Sequence, residues 1–337
     1  SLADWLANNP GEFPDGLPLR TRQVDNLLRD TRQDTDGWTY SQAAWSWSSG
    51  VPARDIIWYD LNPLFVWTAP LILFALAYEL TQRETAAAFS AAGLVFAGLL
   101  ALDNIVYYPP YTTYGRFAVF QINSLRQLAI TIMLPLAWLA AAAYLRSLRR
   151  ADLLLVLLIG LALAMVHPIP VMLFQMSVGA LLVVRWLAHP SRERLRQLVP
   201  LLVVLVLLLA LPFIQRLNRS GLNAADSLVT SAALADDSGV TVSSYFRVLR
   251  GLPLIGTTFV RDPANFFYHP FLLAAVLLGL GFVSAWRRSL AAQLIMPATL
   301  VVLLLSFTPG LTAFYNGFVS SLGLLLTLFM LPIPLIF

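Results

Sequence analysis

The fold is read first from Asp152-Leu-Leu-Leu-Val-Leu-Leu-Ile-Gly-Leu-Ala-Leu-Ala-Met-Val-His167-Pro168-Ile-Pro-Val-Met-Leu-Phe-Gln-Met-Ser-Val-Gly-Ala-Leu-Leu-Val-Val-Arg185-Trp-Leu-Ala188. Between Asp152 and Arg185 it holds no Asp, Glu, Lys or Arg. Backbone in hydrocarbon has no water to bond, so such a run must satisfy its own hydrogen bonds as helix. One crossing takes about 20 residues, and this stretch has room for two. They divide at His167-Pro168, where a ring without an N–H cannot continue a helix. The spacing predicts spans over 152–166 and 169–188, joined by a tight turn near one membrane face.

By the same length and hydropathy criteria, spans are predicted over 61–82, 85–102, 127–145, 197–215, 270–286, 289–306 and 318–337. The predicted fold is an all-α, polytopic transmembrane bundle of about nine spans. Of the 337 residues, 58% are hydrophobic and 12% charged, too little charge to cover a soluble domain of this size. With no cysteine, disulfides and thiolate metal sites are excluded. The net charge of +4 does not point to nucleic acid, because charge in a membrane protein is read by side. The chain runs from Ser1 to an apolar end at Phe337, and reads as part of a longer protein.

Alternate connections collect Arg83, Arg146, Arg149, Arg150, Arg185, Arg192, Arg194, Arg196, Arg287 and Arg288, opposed by Glu79, Glu84, Asp152 and Glu193. That basic side is expected to be cytoplasmic. Residues 1–60, the loop 103–126 and the loop 216–269 are then external, and 61–337 form the transmembrane domain. In the long loop, 217–244 is polar, and the more aromatic 245–269 is expected to form interfacial helices. Almost no charge lies deep in a span, which disfavours a proton-coupled transporter. Gln175 is the most polar side chain there.

Before the span at 61–82 runs Thr35-Asp-Gly-Trp-Thr-Tyr-Ser-Gln-Ala-Ala-Trp-Ser-Trp-Ser-Ser-Gly50. Asp36 suits an N-cap, and Trp38, Tyr40, Trp45 and Trp47 suit the headgroup belt, so an interfacial helix ending at Gly50 is expected. Asp34 and Asp36 are two residues apart; such a pair is either simply solvated or holds a hard cation such as Mg²⁺ or Mn²⁺. Tyr107 to Tyr114 form an aromatic, proline-rich stretch suited to interfacial anchoring or to stacking a sugar. His167-Pro168 and His269-Pro270 repeat one dipeptide on the external side, as a structural turn or as a contact for a phosphate or acceptor.

The order Asp36, Tyr40, Ala44, Gly50, Arg54-Asp55 and Asn62-Pro63 resembles the first external loop of GT-C glycosyltransferases, polytopic enzymes that use lipid-linked sugars. The likeness covers about 30 residues closely, and the rest of the chain only in topology. The resemblance implies a preceding helix, a polyprenyl-phosphate-linked sugar as partner, and Asp36 as general base. Gly37 stands where the family carries a second acid, which leaves Asp34 to supply it. Under this reading Asp103, Arg116, Arg126, His167, His269 and Tyr40 are the substrate contacts. Arg116 and Arg126 would meet the departing phosphate, a task for a forked, permanently charged donor. The other reading is a non-catalytic subunit of a larger membrane complex, with membrane lipids and other subunits as partners. The localisation expected is a bacterial plasma membrane.

Overall fold

The structure, a computed structural model, describes residues 37–100, 128–217, 254–255, 258–259, 277–279 and 281–308. Helix α1 is Gly37–Ser49, and Gly50 ends it at φ +69°, donating its N–H to Ser46 O at 2.9 Å. That left-handed geometry costs glycine nothing. Helix α2 is Asn62–Thr81, α3 Glu84–Leu100, α4 Leu134–Ser147, α5 Arg150–Val166, α6 Pro168–Ala188, α7 Arg192–Leu217 and α8 Leu290–Phe307. The helices coincide closely with the predicted spans over these stretches. The span at 318–337, and residues 270–276 and 280 of that at 270–286, lie outside the described residues.

Two departures have local causes. Helices α2 and α4 are each preceded by a widened, π-helical turn, Ile56–Leu61 and Ala129–Met133. There the N–H of Asn62 bonds to Ile57 O, and that of Leu134 to Ala129 O, five residues back. A proline follows each, Pro63 and Pro135, which lacks an N–H and crowds the carbonyl four residues earlier. Widening the turn relieves that crowding. The second departure is in the long loop, where helix was expected over 245–269. Leu254–Ile255 (β1) pairs antiparallel with Thr258–Phe259 (β2), Ile255 opposite Thr258. The connection is Gly256-Thr257, and glycine in the first place is what two-residue hairpins favour. Elsewhere the described chain is helical.

Three helices are long and apolar enough to cross a membrane: Tyr59–Thr81, Ala129–Ser147 and Ile169–Ala188. Glu84–Val95 and Leu290–Leu305 are shorter apolar helices. The fold is that of a helical membrane protein. Its surface agrees, for Trp67 is 76% and Phe89 80% exposed, and Leu202, Val203, Val206 and Leu207 line an open face of α7. Patches of this size are rare on water-soluble monomers and normal against lipid.

Helix α4 is the hub. It packs on α2, α5 and α6, and α6 in turn packs on α5, α7 and α8. Ala137, Ala140, Ala141 and Ala142 are all buried on α4. Small residues let helix backbones approach, which matters in lipid, where burying apolar surface gives no advantage over hydrocarbon. Trp138 sits fully enclosed among them, and its Nε1–H donates to Ser177 Oγ on α6 at 2.8 Å. Helix α5 reaches α7 through Gly160, above which lies the side chain of buried Leu208.

Candidate functional site

The predicted site residues fall mostly outside the described residues: Asp34, Asp36, Asp103, Arg116, Arg126 and His269. Tyr40 lies in α1. His167 is described. It forms the whole connection between α5 and α6, at φ −158° and ψ 124°, and its Nδ1 accepts from the N–H of Ile169 at 3.3 Å. The histidine thus caps α6 through Nδ1.

Helix α1 bears on the same region. Gln42, Ala43 and Ser46 are buried while Trp45 and Trp47 stay exposed, so one face packs inward and the indoles face out. The Ser46 hydroxyl donates to Val51 O at 2.7 Å, tying the helix to the linker that follows. Helix α1 touches α5 and the turn Ile56–Leu61 at the start of α2. Helix α5 begins at the arginine-rich end of the bundle, so α1 meets the half that leads to His167. Asn62, at the head of α2, adds one feature that sequence reading missed. Its Oδ1 is buried with no hydrogen-bond partner among the described residues. An unpaired buried acceptor costs about 1–3 kcal/mol. Its position in the Asn62-Pro63 pair was the only signal.

Mid-bundle polarity is sparse. Gln175 Nε2 reaches Leu205 O at 3.5 Å, its Oε1 is buried without a partner, and Ser90 Oγ is likewise unpaired among the described residues. No group of three or more His, Cys, Asp or Glu side chains fit for a metal occurs among the described residues.

The opposite end is rich in contacts. Arg146 Nε meets Glu79 Oε1 at 2.9 Å and its NH2 group reaches Leu80 O at 3.5 Å, joining the ends of α4 and α2. Arg185 donates to Gln293 Oε1 and to Leu145 O, both at 3.1 Å, joining α6 to α8 and α4. Gln293 Nε2 then donates to Trp286 O at 2.9 Å. The Tyr144 hydroxyl donates to Gln197 O at 3.0 Å, bringing α7 to the same place. Leu80 and Leu145 lie in the last turns of their helices, where carbonyls lack intrahelical partners and the dipole is negative. The two arginines cap neighbouring helices in trans. The ends the arginine pattern assigned to one side therefore meet at one end of the bundle.

Comparison with known proteins finds no matching family model, curated protein or solved structure.

Proposed function

We propose that this chain is a GT-C-type membrane glycosyltransferase of a bacterial plasma membrane. It would move a sugar from a polyprenyl-phosphate donor to an acceptor on the non-cytoplasmic side. The observation that carries the reading is α1: a helix with indoles on its open face begins directly after Asp36 and packs at the end remote from the arginines. The resemblance to the GT-C loop implies that placement. Asp36 acts as general base, Asp34 assists, and Arg116 and Arg126 receive the phosphate, with Asp103, Tyr40, His167 and His269 around the substrate. Mg²⁺ or Mn²⁺ at Asp34 and Asp36 is compatible with hard oxygen ligands. The remaining predicted spans complete a bundle of about nine.

Gly37, in place of the family's second acid, favours the second reading, a non-catalytic subunit of a larger complex. Mass spectrometry of co-purified lipids separates the two. A glycosyltransferase is expected to carry polyprenyl phosphate or its glycosylated form, depleted in Arg116→Ala/Arg126→Ala. Bulk phospholipid alone in both preparations would move the assignment to the subunit.

Orientation is tested independently, and the absence of native cysteine makes labelling clean. In intact spheroplasts, Ser48→Cys is expected to react with a membrane-impermeant maleimide. Arg83→Cys is expected to react only after permeabilisation. The reverse pattern would invert the topology.

A further inference from the structure

The arginine end of the bundle carries more positive charge than its own acids answer. Arg146 shares its charge with Glu79. Arg185 is half-buried and, among the described residues, bonded only to neutral oxygens, Gln293 Oε1 and Leu145 O. A guanidinium has five N–H donors, so three remain for other acceptors. Arg185 bonds to the carbonyl of Leu145, the residue before Arg146, and Tyr144 holds Gln197 of α7, three residues after Arg194, at the same place. Among the described residues neither Arg185 nor Arg194 forms an ion pair with an Asp or Glu, the first-turn acid Glu193 of α7 included. The chain beyond the described part of α8, residues 309–337, contains no acid that could supply one.

Helix polarity adds to the excess. Helices α5, α7 and α8 all begin at this end, where a helix dipole is positive and favours anions. Arg192 and Arg194 nevertheless occupy the first turn of α7, the reverse of what the dipole prefers. Ser191 Oγ already caps the Arg194 N–H at 3.1 Å, so the cap does not need the charge. Glu79 answers one of the three guanidinium charges, and half-burying Arg185 beside the others without a carboxylate of its own is costly unless an anion completes the set.

We propose that Arg146, Arg185 and Arg194 form a phosphate-binding site at this end of the bundle, between α4, α6 and α7. Forked guanidinium groups match the oxygens of a phosphate monoester or diester. Two sources present that chemistry here, the headgroup of an anionic phospholipid and a soluble phosphorylated molecule. The proposal needs the bundle to be as described, and does not depend on glycosyl transfer at the other end.

Native mass spectrometry of the full chain, from nanodiscs of phosphatidylglycerol or of phosphatidylcholine, tests it, with titration of glycerol 3-phosphate as the soluble arm. Retention of phosphatidylglycerol but not phosphatidylcholine assigns the site to lipid, and saturable binding of glycerol 3-phosphate assigns it to a soluble ligand. Arg185→Gln also removes the cap on α4, so a folding defect would obscure it. Arg194→Gln breaks no interhelical hydrogen bond among the described residues, and is expected to weaken binding about tenfold. Arg288→Gln, on an exposed arginine outside the trio, is expected to leave binding unchanged. Equal losses in Arg194→Gln and Arg288→Gln would reduce the site to diffuse surface charge and overturn the proposal. So would the absence of binding in both arms.

Discussion

Replacing Gly160 by alanine is expected to destabilise the bundle by about 1–3 kcal/mol, the range for overpacking a filled core. A Cβ at this position would stand 2.4 Å from Leu208 Cδ1, 3.0 Å from Cδ2 and 3.3 Å from Cγ. The obstacle is the end of a side chain, which in open space would swing aside. Leu208 has no open space, since it is fully buried where α5 and α7 meet. Either its rotamer is forced or the two helices separate, and separation also loosens their contacts with α4 and α6. Valine, with a branched Cβ, is expected to cost more than alanine. The measurement is the thermal midpoint in detergent for Gly160→Ala, Leu208→Ala and the pair. Leu208→Ala alone leaves a cavity, and the double variant lets the new methyl occupy part of it. The double variant is therefore expected to be more stable than the sum of the singles implies. Gly179, where an added Cβ would meet nothing within 4 Å, is the control, and Gly179→Ala is expected to be neutral. Strict additivity at Gly160 and Leu208 would show that α5 and α7 do not pack through this pair.

Nothing in the sequence distinguished Gly160 from Gly179. Both are glycines in apolar runs, and only the neighbour across the interface separates them. The same limit applies to the arginines. Their distribution by side was legible because each hydrophobic run has a fixed length in lipid, so every second connection returns to the same face. The partners were not: Arg185 with Gln293 requires knowing that α6 lies against α8, and no local pattern carries that. Prolines were legible as interruptions, and Pro168 does divide the hairpin. The π-helical turns before Pro63 and Pro135 depend on how each helix absorbs its missing N–H, which composition leaves open. For the site, the start and end of α1 were legible, because Gly50 and the aromatic spacing are local signals. The buried Asn62 oxygen was not, since whether an amide is paired depends on tertiary neighbours.

The second large effect concerns Asp36, whose two readings make opposite claims about one substitution. As a cap, Asp36 stands directly before the first residue of α1, and asparagine serves at that position as well as aspartate. As a general base, it must take a proton from the acceptor hydroxyl, which an amide cannot do. Asp36→Asn is thus expected to leave the thermal midpoint unchanged and to lower turnover about 10²–10⁴-fold, the usual contribution of a positioned base. Asp36→Ala removes both functions, and is expected to lose about 1 kcal/mol of stability as well. The assay is transfer of labelled sugar from a polyprenyl-phosphate donor by the purified protein, with donor retention measured alongside. Retained donor with lost turnover places the defect in chemistry, because the base acts on the acceptor and does not hold the donor. Asp34→Asn then tests the departure at Gly37: if Asp34 replaces the acid missing there, its removal lowers turnover too, whereas a solvated Asp34 gives wild-type rates. A wild-type protein that retains donor but transfers nothing would point to the subunit reading, with the lipid site kept and the chemistry lost at Gly37.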